Sequence, residues 1–134
     1  MMTPLERLVR RRARGRCEYC RLPRSASEFT FPIDHIIARQ HEGPTEAENL
    51  AQSCPHCNAH KGPNIAGIDK VTGEVTRLYH PRRDRWREHF AWDGAKLTGL
   101  TAVGRTTVAV LAMNSAIMLA TREALIEEGV FPPR

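Results

Sequence analysis

Cys54-Pro55-His56-Cys57-Asn58-Ala59-His60-Lys61-Gly62 decides how this chain is to be read, because it has a counterpart in Cys17-Glu18-Tyr19-Cys20. The two CxxC elements use all four cysteines of the 134-residue sequence. Zinc takes four thiolates tetrahedrally, and two CxxC knuckles supply them without strain. The competing reading is four unrelated reduced thiols. Two matched pairs with none left over count against it. A four-cysteine site is closed, with no open coordination position, so the zinc expected on Cys17, Cys20, Cys54 and Cys57 is structural. The gap between the pairs is 33 residues, longer than a simple ribbon needs, so something is inserted between the knuckles.

The insertion holds Phe29-Thr30-Phe31-Pro32-Ile33-Asp34-His35-Ile36-Ile37, a β-rich run that Pro32 confines to an edge or bulged strand. Asp34 and His35 can divide two tasks. A carboxylate is a hard oxygen ligand suited to Mg²⁺, and an unperturbed imidazole, titrating near ~6.5, can take a proton from water at neutral pH. Neighbours on a strand point to opposite faces, so a bulge or bend is expected before both reach one site. Alone, such a pair is more often an ordinary surface pair. His41–Glu48 reads as a polar loop with Gly43-Pro44, Asn49–Ser53 as a short second strand, and Asn58–Lys61 as a helical turn stopped by Gly62-Pro63.

Charge is distributed unevenly. The net charge is +5. Residues 1–24 carry eight Arg against two Glu, or +6, which leaves −1 for the remaining 110 residues. Thr3-Pro4 marks a helix start, with Thr3 as N-cap, and residues 4–14 read as a short basic helix. Leu5, Leu8 and Val9 give it an apolar stripe, and Gly15 can end it. Arg7, Arg10, Arg11 and Arg14 fall at spacings of three and four, so they share a face. Arg forks match phosphate geometry, which points to nucleic acid as the partner; the same charge also suits a solvated helix face. No apolar signal segment follows the N-terminus. The most apolar stretch, Val108–Ala120, is too short to span a bilayer and is interrupted by Asn114-Ser115. A soluble, cytoplasmic protein without a membrane partner is expected.

The order of the motifs adds more than any one of them. Asp34-His35, Gly43-Pro44, Asn49-Leu50 and Cys54-x2-Cys57-Asn58-x2-Lys61-Gly62 together resemble the HNH endonuclease family, whose ββα-metal motif runs DH…NL…C-x2-C-[NH]-x2-K. The resemblance covers Cys17 to roughly Asp69. It implies a metal-dependent endonuclease hydrolysing DNA (RNA left open) to 5′-phosphate and 3′-hydroxyl ends. His35 would be the general base. Asp34 and Asn58 would hold a catalytic Mg²⁺ or Mn²⁺, and Asn49 would orient the His35 loop or ring. Lys61, which follows the motif, is a candidate for contacting phosphate, beside Arg7, Arg10, Arg11 and Arg14. Two positions depart from the family pattern. Gly62 stands where some members add a metal-binding His, and Glu42-Gly43 stands where Gly-Gly is frequent.

The expected fold is α+β: a ββα-metal core around the four-cysteine site, then a C-terminal β-hairpin and two-helix extension. The domains are read as 1–70, the nuclease domain with its basic helix, and 71–134, the extension, packed as one unit with the core. Within the extension, Val75–Tyr79 reads as strand and Asp93-Gly94 as a hairpin turn between Trp86–Trp92 and Lys96–Thr101. Arg105–Glu128 reads as two helices parted by Asn114-Ser115. Tyr79-His80-Pro81-Arg82, Trp86-x2-His89-Phe90-x-Trp92, Gly99-Leu100-Thr101 and Gly104-Arg105 resemble the extension of some bacterial members, without attached chemistry. Met113 and Met118 belong to the core or to a homodimer face, which stays open. The rival function is a catalytically silent zinc-ribbon nucleic-acid binder. Against it stand Asp34, His35, Asn49 and Asn58, none of which a pure binder needs.

Overall fold

The computed structural model describes residues 2–133, which form two compact units, Met1–Ile65 with His80–Arg83, and Ala66–Tyr79 with Asp84–Arg134. The architecture is α+β, with small two-stranded sheets and short helices.

The first unit opens with α1 (Pro4–Ala13). Thr3 Oγ1 accepts the Glu6 amide at 3.1 Å and Pro4 takes the first helical position, as its missing N–H allows. Val9 and Ala13 are buried. The helix ends at Ala13, two residues before Gly15: Arg14 itself adopts the left-handed conformation at φ 54. Strand β1 (Ile33–His35) pairs antiparallel with β2 (Leu50–Gln52), in the register Ile33↔Gln52, Asp34↔Ala51, His35↔Leu50. The β-rich run therefore yields three paired residues only. Pro32 has no N–H to donate at one end, and at the other the Ile37 backbone bonds to the Asn49 side chain instead of a neighbouring strand. Helix α2 (Pro55–Lys61) absorbs the second CxxC element, with Cys54 as N-cap and Cys57 inside the first turn. The segment His80–Arg83 returns to this unit, where Arg82 forms an ion pair with the buried Glu18.

The second unit contains a hairpin of which the sequence showed only the second strand. Strand β3 (Ala66–Ile68) pairs with β4 (Val75–Arg77). Three residues around a glycine give no recognisable β pattern. Gly67 is there because a Cβ would lie 2.6 Å from a Val110 methyl. Trp86–His89 is helical (α3), so the expected strand Trp86–Trp92 starts only at Phe90. Trp86 still stacks on the strand aromatics, 5.1 Å from Phe90 and 5.4 Å from Trp92, because one helical turn returns it to the same face. Strands β5 (Phe90–Asp93) and β6 (Lys96–Gly99) are joined through Gly94-Ala95. Helices α4 (Ala102–Val110) and α5 (Ala116–Glu127) follow. Between them Asn114 pairs with β6 instead of capping a helix: its amide bonds the Leu97 N–H and C=O at 2.9 and 2.8 Å. Met113 and Met118 are buried in this unit's core. Arg122, fully buried, donates to the Ala95 and Met113 carbonyls at 2.6 and 2.8 Å.

Asp69 fastens the β3–β4 turn. Its carboxylate accepts both Arg105 Nε and Nη2, at 3.0 and 2.9 Å, with Thr72 Oγ1 at 3.0 Å and the Val71 amide at 3.3 Å. The Arg105 bonds above all hold Asp69 well below the usual carboxylate range, against the opposing effect of burial. A depressed native pKa stabilises the fold fully above the ordinary Asp value of about 3.9, and that contribution is lost as pH falls toward the native value. Urea titrations of wild type and Asp69→Asn should therefore show a less stable variant at pH 7. The gap should close as the pH falls below about 4. A gap independent of pH would mean that the charge on Asp69 is not its source.

Candidate active site

All four cysteines are fully buried, and their sulfurs lie within 4.8 Å of one another. Cys20 Sγ and Cys54 Sγ are 3.7 Å apart. Zn–S bonds of about 2.3 Å in a tetrahedron put sulfurs roughly 3.8 Å apart, so the cluster fits zinc. Backbone amides already point at two sulfurs, Cys20 N at Cys17 Sγ (3.5 Å) and Cys57 N at Cys54 Sγ (3.3 Å). The centre joins the loop after α1 to the start of α2.

Asp34 and His35 lie on β1 with an unbroken register, so of the expected bulge or bend it is a bend that occurs, at Ile36-Ile37 directly after the strand. Asp34 is buried and His35 half-exposed, yet both line one open cleft with Asn58 and Gly62. This works because the strand is only three residues long and ends at His35, beside α2. Asp34 Oδ2 accepts the Tyr19 hydroxyl at 2.7 Å and faces Lys61 Nζ at 3.1 Å. Burial raises the Asp34 pKa, and Lys61 then opposes the rise. Burial, followed by the charge of Asp34, lifts Tyr19 well above its ordinary value, so Tyr19 remains a phenol and donates.

Asn49 is buried and bonded on every side. Its Oδ1 accepts the Ile37 amide, and its Nδ2 donates to the Ile37 and Pro44 carbonyls, each at 2.9 Å. It staples both ends of the loop that leaves His35. Gly43 belongs to the same clamp: a Cβ there would lie 1.7 Å from the Ile37 carbonyl oxygen and 2.9 Å from Asn49 Nδ2. Glu42 keeps the loop's left-handed turn at φ 64, the conformation a glycine would adopt without strain. The imidazole of His35 has a different partner, Thr45 Oγ1 at 2.8 Å from Nε2. Thr45 belongs to no motif, and nothing in the sequence marks it. Gly62 sits at φ 50, ψ −137, a backbone region open to glycine, so a histidine there would be strained.

The basic residues divide into two groups. Lys61 is not a surface phosphate contact: it is 1% exposed, and its ammonium is committed to Asp34 and to the His35 carbonyl at 3.2 Å. Arg10 is half-buried, and its Nη1 donates to the Phe31 carbonyl and to Gln52 Oε1. Arg12 does the same for the Ala47 and Leu50 carbonyls. Hydrophobic spacing alone did not mark Arg10 or Arg12 as anchors; a long side chain leaving the edge of the apolar stripe is the only hint. Arg7 and Arg11, one turn apart on α1, and Arg14 at its C-cap remain exposed.

Compared with family models, residues 17–64 match the one described as HNH endonuclease. The match covers about a third of the chain, and the similarity is confined to that segment. Neither the curated proteins nor the solved structures yielded a match. The matched segment begins at the first residue of the cysteine cluster and ends three residues after Lys61. It thus contains the cleft of Asp34, His35 and Asn58. No helix among the described residues is long and apolar enough to cross a membrane.

The reading of the four-cysteine cluster as a zinc site has a direct test. Cys54 supplies both a ligand and the N-cap of α2. Cys54→Ser should lower zinc from about one ion per chain to near none and abolish cooperative unfolding, since metal binding energy here is folding energy. Elemental analysis paired with thermal denaturation measures both. A zinc-free variant with wild-type melting would show that the cluster is not structural.

Proposed function

We propose that this protein is a divalent-metal-dependent endonuclease that hydrolyses DNA phosphodiester bonds, leaving 5′-phosphate and 3′-hydroxyl ends. One observation carries the reading: in the segment that matches the HNH endonuclease model, His35, Asp34 and Asn58 border one open cleft. His35 is the general base, taking a proton from the attacking water. Thr45 holds its ring, and Asn49 with Gly43 holds its loop. Asp34 and Asn58 supply the hard oxygens suited to Mg²⁺ or Mn²⁺. When bound, such an ion supplies positive charge to the scissile phosphate and the leaving oxygen. Asp34 fits this role because Oδ1 has only a long 3.4 Å contact, with Lys61, while Oδ2 makes the short bonds. The same Asp34–Lys61 pair favours the rival reading of a silent nucleic-acid binder, because the carboxylate already has a counter-charge.

Supercoiled plasmid separates the two. With Mg²⁺ or Mn²⁺ the wild type should nick or linearise it, and His35→Ala should be slower by ~10²-fold or more, the scale of a lost general base. Zinc content should be unchanged. A wild type that binds the plasmid without cutting, in either metal, would establish the silent binder.

Exposed Arg7, Arg11 and Arg14 are the backbone grip in this reading, while half-buried Arg10 already donates from Nη1 to the Phe31 carbonyl and Gln52. Phosphate contacts position the protein without reading bases. Replacing the three with Gln should weaken binding to two unrelated duplexes alike. The log K against log[salt] slope should flatten by roughly 1–3, at about 0.9 per lost contact. An unchanged slope would place the DNA elsewhere.

A further inference from the structure

Tyr19, Asp34 and Lys61 form a buried triad, at 0%, 7% and 1% exposure. Asp34 Oδ2 receives the two short contacts, from Tyr19 Oη at 2.7 Å and Lys61 Nζ at 3.1 Å. Oδ1 has only Lys61 at 3.4 Å. The same ammonium donates to the main-chain carbonyl of His35 at 3.2 Å. One cation therefore holds both members of the Asp34-His35 pair, one by its side chain and the other by its backbone.

The origin of the two donors matters. Tyr19 lies between Cys17 and Cys20, and Lys61 ends the helix that Cys54 caps. Each half of the cysteine cluster thus contributes one group that reaches Asp34. A carboxylate has about four acceptor positions. With those of Oδ2 occupied by Tyr19 and Lys61, the remaining capacity is concentrated on Oδ1. Asp34 also borders the cleft that holds Asn58.

We propose that Tyr19 and Lys61 are positioning residues: together they fix the Asp34 carboxylate so that Oδ1 is offered to a divalent cation in the cleft, and through Lys61 they tie the His35 backbone to it. The inference rests on the endonuclease reading and names how its metal-binding carboxylate is set. The physical logic is that of hydrogen-bonded metal ligands in general, whose outer partners tune affinity by about 10–100-fold. Tyr19 contributes orientation without charge. Lys61 contributes orientation but also a positive charge, so the two should separate in experiment.

The test uses the full zinc-loaded chain and Mn²⁺ alone, titrated by calorimetry, with plasmid cleavage measured across Mn²⁺ concentrations. Tyr19→Phe keeps the ring and removes the hydroxyl. It should weaken Mn²⁺ binding, and shift the cleavage midpoint, by about 10–100-fold, while the rate at saturating Mn²⁺ changes little and zinc is retained. Lys61→Met should lower the saturating rate, through the loosened His35 backbone, and Lys61→Arg should restore part of it. If Lys61→Met does not fold, Tyr19→Phe alone decides. Wild-type Mn²⁺ affinity in Tyr19→Phe, with only its melting temperature reduced, would overturn the proposal, because the hydroxyl would then merely satisfy a buried carboxylate. So would a wild type that binds no Mn²⁺. Mn²⁺ binding that Asp34→Ala abolishes and Tyr19→Phe weakens, in a protein that cuts no DNA, would support the positioning role and overturn the endonuclease reading instead.

Discussion

Four thiols packed within 4.8 Å, none of them exposed, are tolerable only if something draws them together. Ionised, they repel; protonated, they are weak hydrogen-bonding groups in a small core. A tetrahedral zinc ion on these four sulfurs would resolve this and would join two pieces of chain that no long element connects. In the first unit the sheet pairs three residues with three. Strands this short do not hold register by their ladder alone. The cysteine centre, the buried Asp34–Lys61 pair and the internal arginines supply what the ladder lacks.

Those arginines change the meaning of the N-terminal charge. A +6 segment looks like one electrostatic device, but half-buried Arg10 and Arg12 act as hydrogen-bond donors for carbonyls that short strands leave unpaired. Each guanidinium has five N–H donors, enough to serve two chain segments at once. The residues left in solvent form a smaller set than the composition suggests, with Arg7 and Arg11 one turn apart on α1 and Arg14 at its C-cap.

Much of this was legible because it follows from local rules. Thr3-Pro4 announces a helix, CxxC spacing announces a ligand pair, and the order of Asp34-His35, Asn49 and Cys57-Asn58 carries the family resemblance. What escaped depends on contacts distant in sequence. Strand β3 is a strand because Gly67 lets Val110 approach, and no pattern within 66–68 records that. Asn114 looks like a helix cap and instead completes the edge of β6. Lys61 looks like a surface cation after a metal motif and is instead the counter-charge of a carboxylate 27 positions away. Thr45 holds the imidazole from a polar loop of ordinary composition.

The return of His80–Arg83 to the first unit has a consequence for how the chain is made. Synthesis is vectorial, and domains generally fold from the N-terminus as they emerge. Here the N-terminal unit cannot complete at residue 65, because the guanidinium that meets buried Glu18 arrives only with Arg82. By then the β3–β4 hairpin, which belongs to the other unit, has already been translated. The two units are therefore interleaved in time as well as in sequence. A nascent chain halted between them would hold the cysteines and the cleft residues, but also a carboxylate still waiting for its partner.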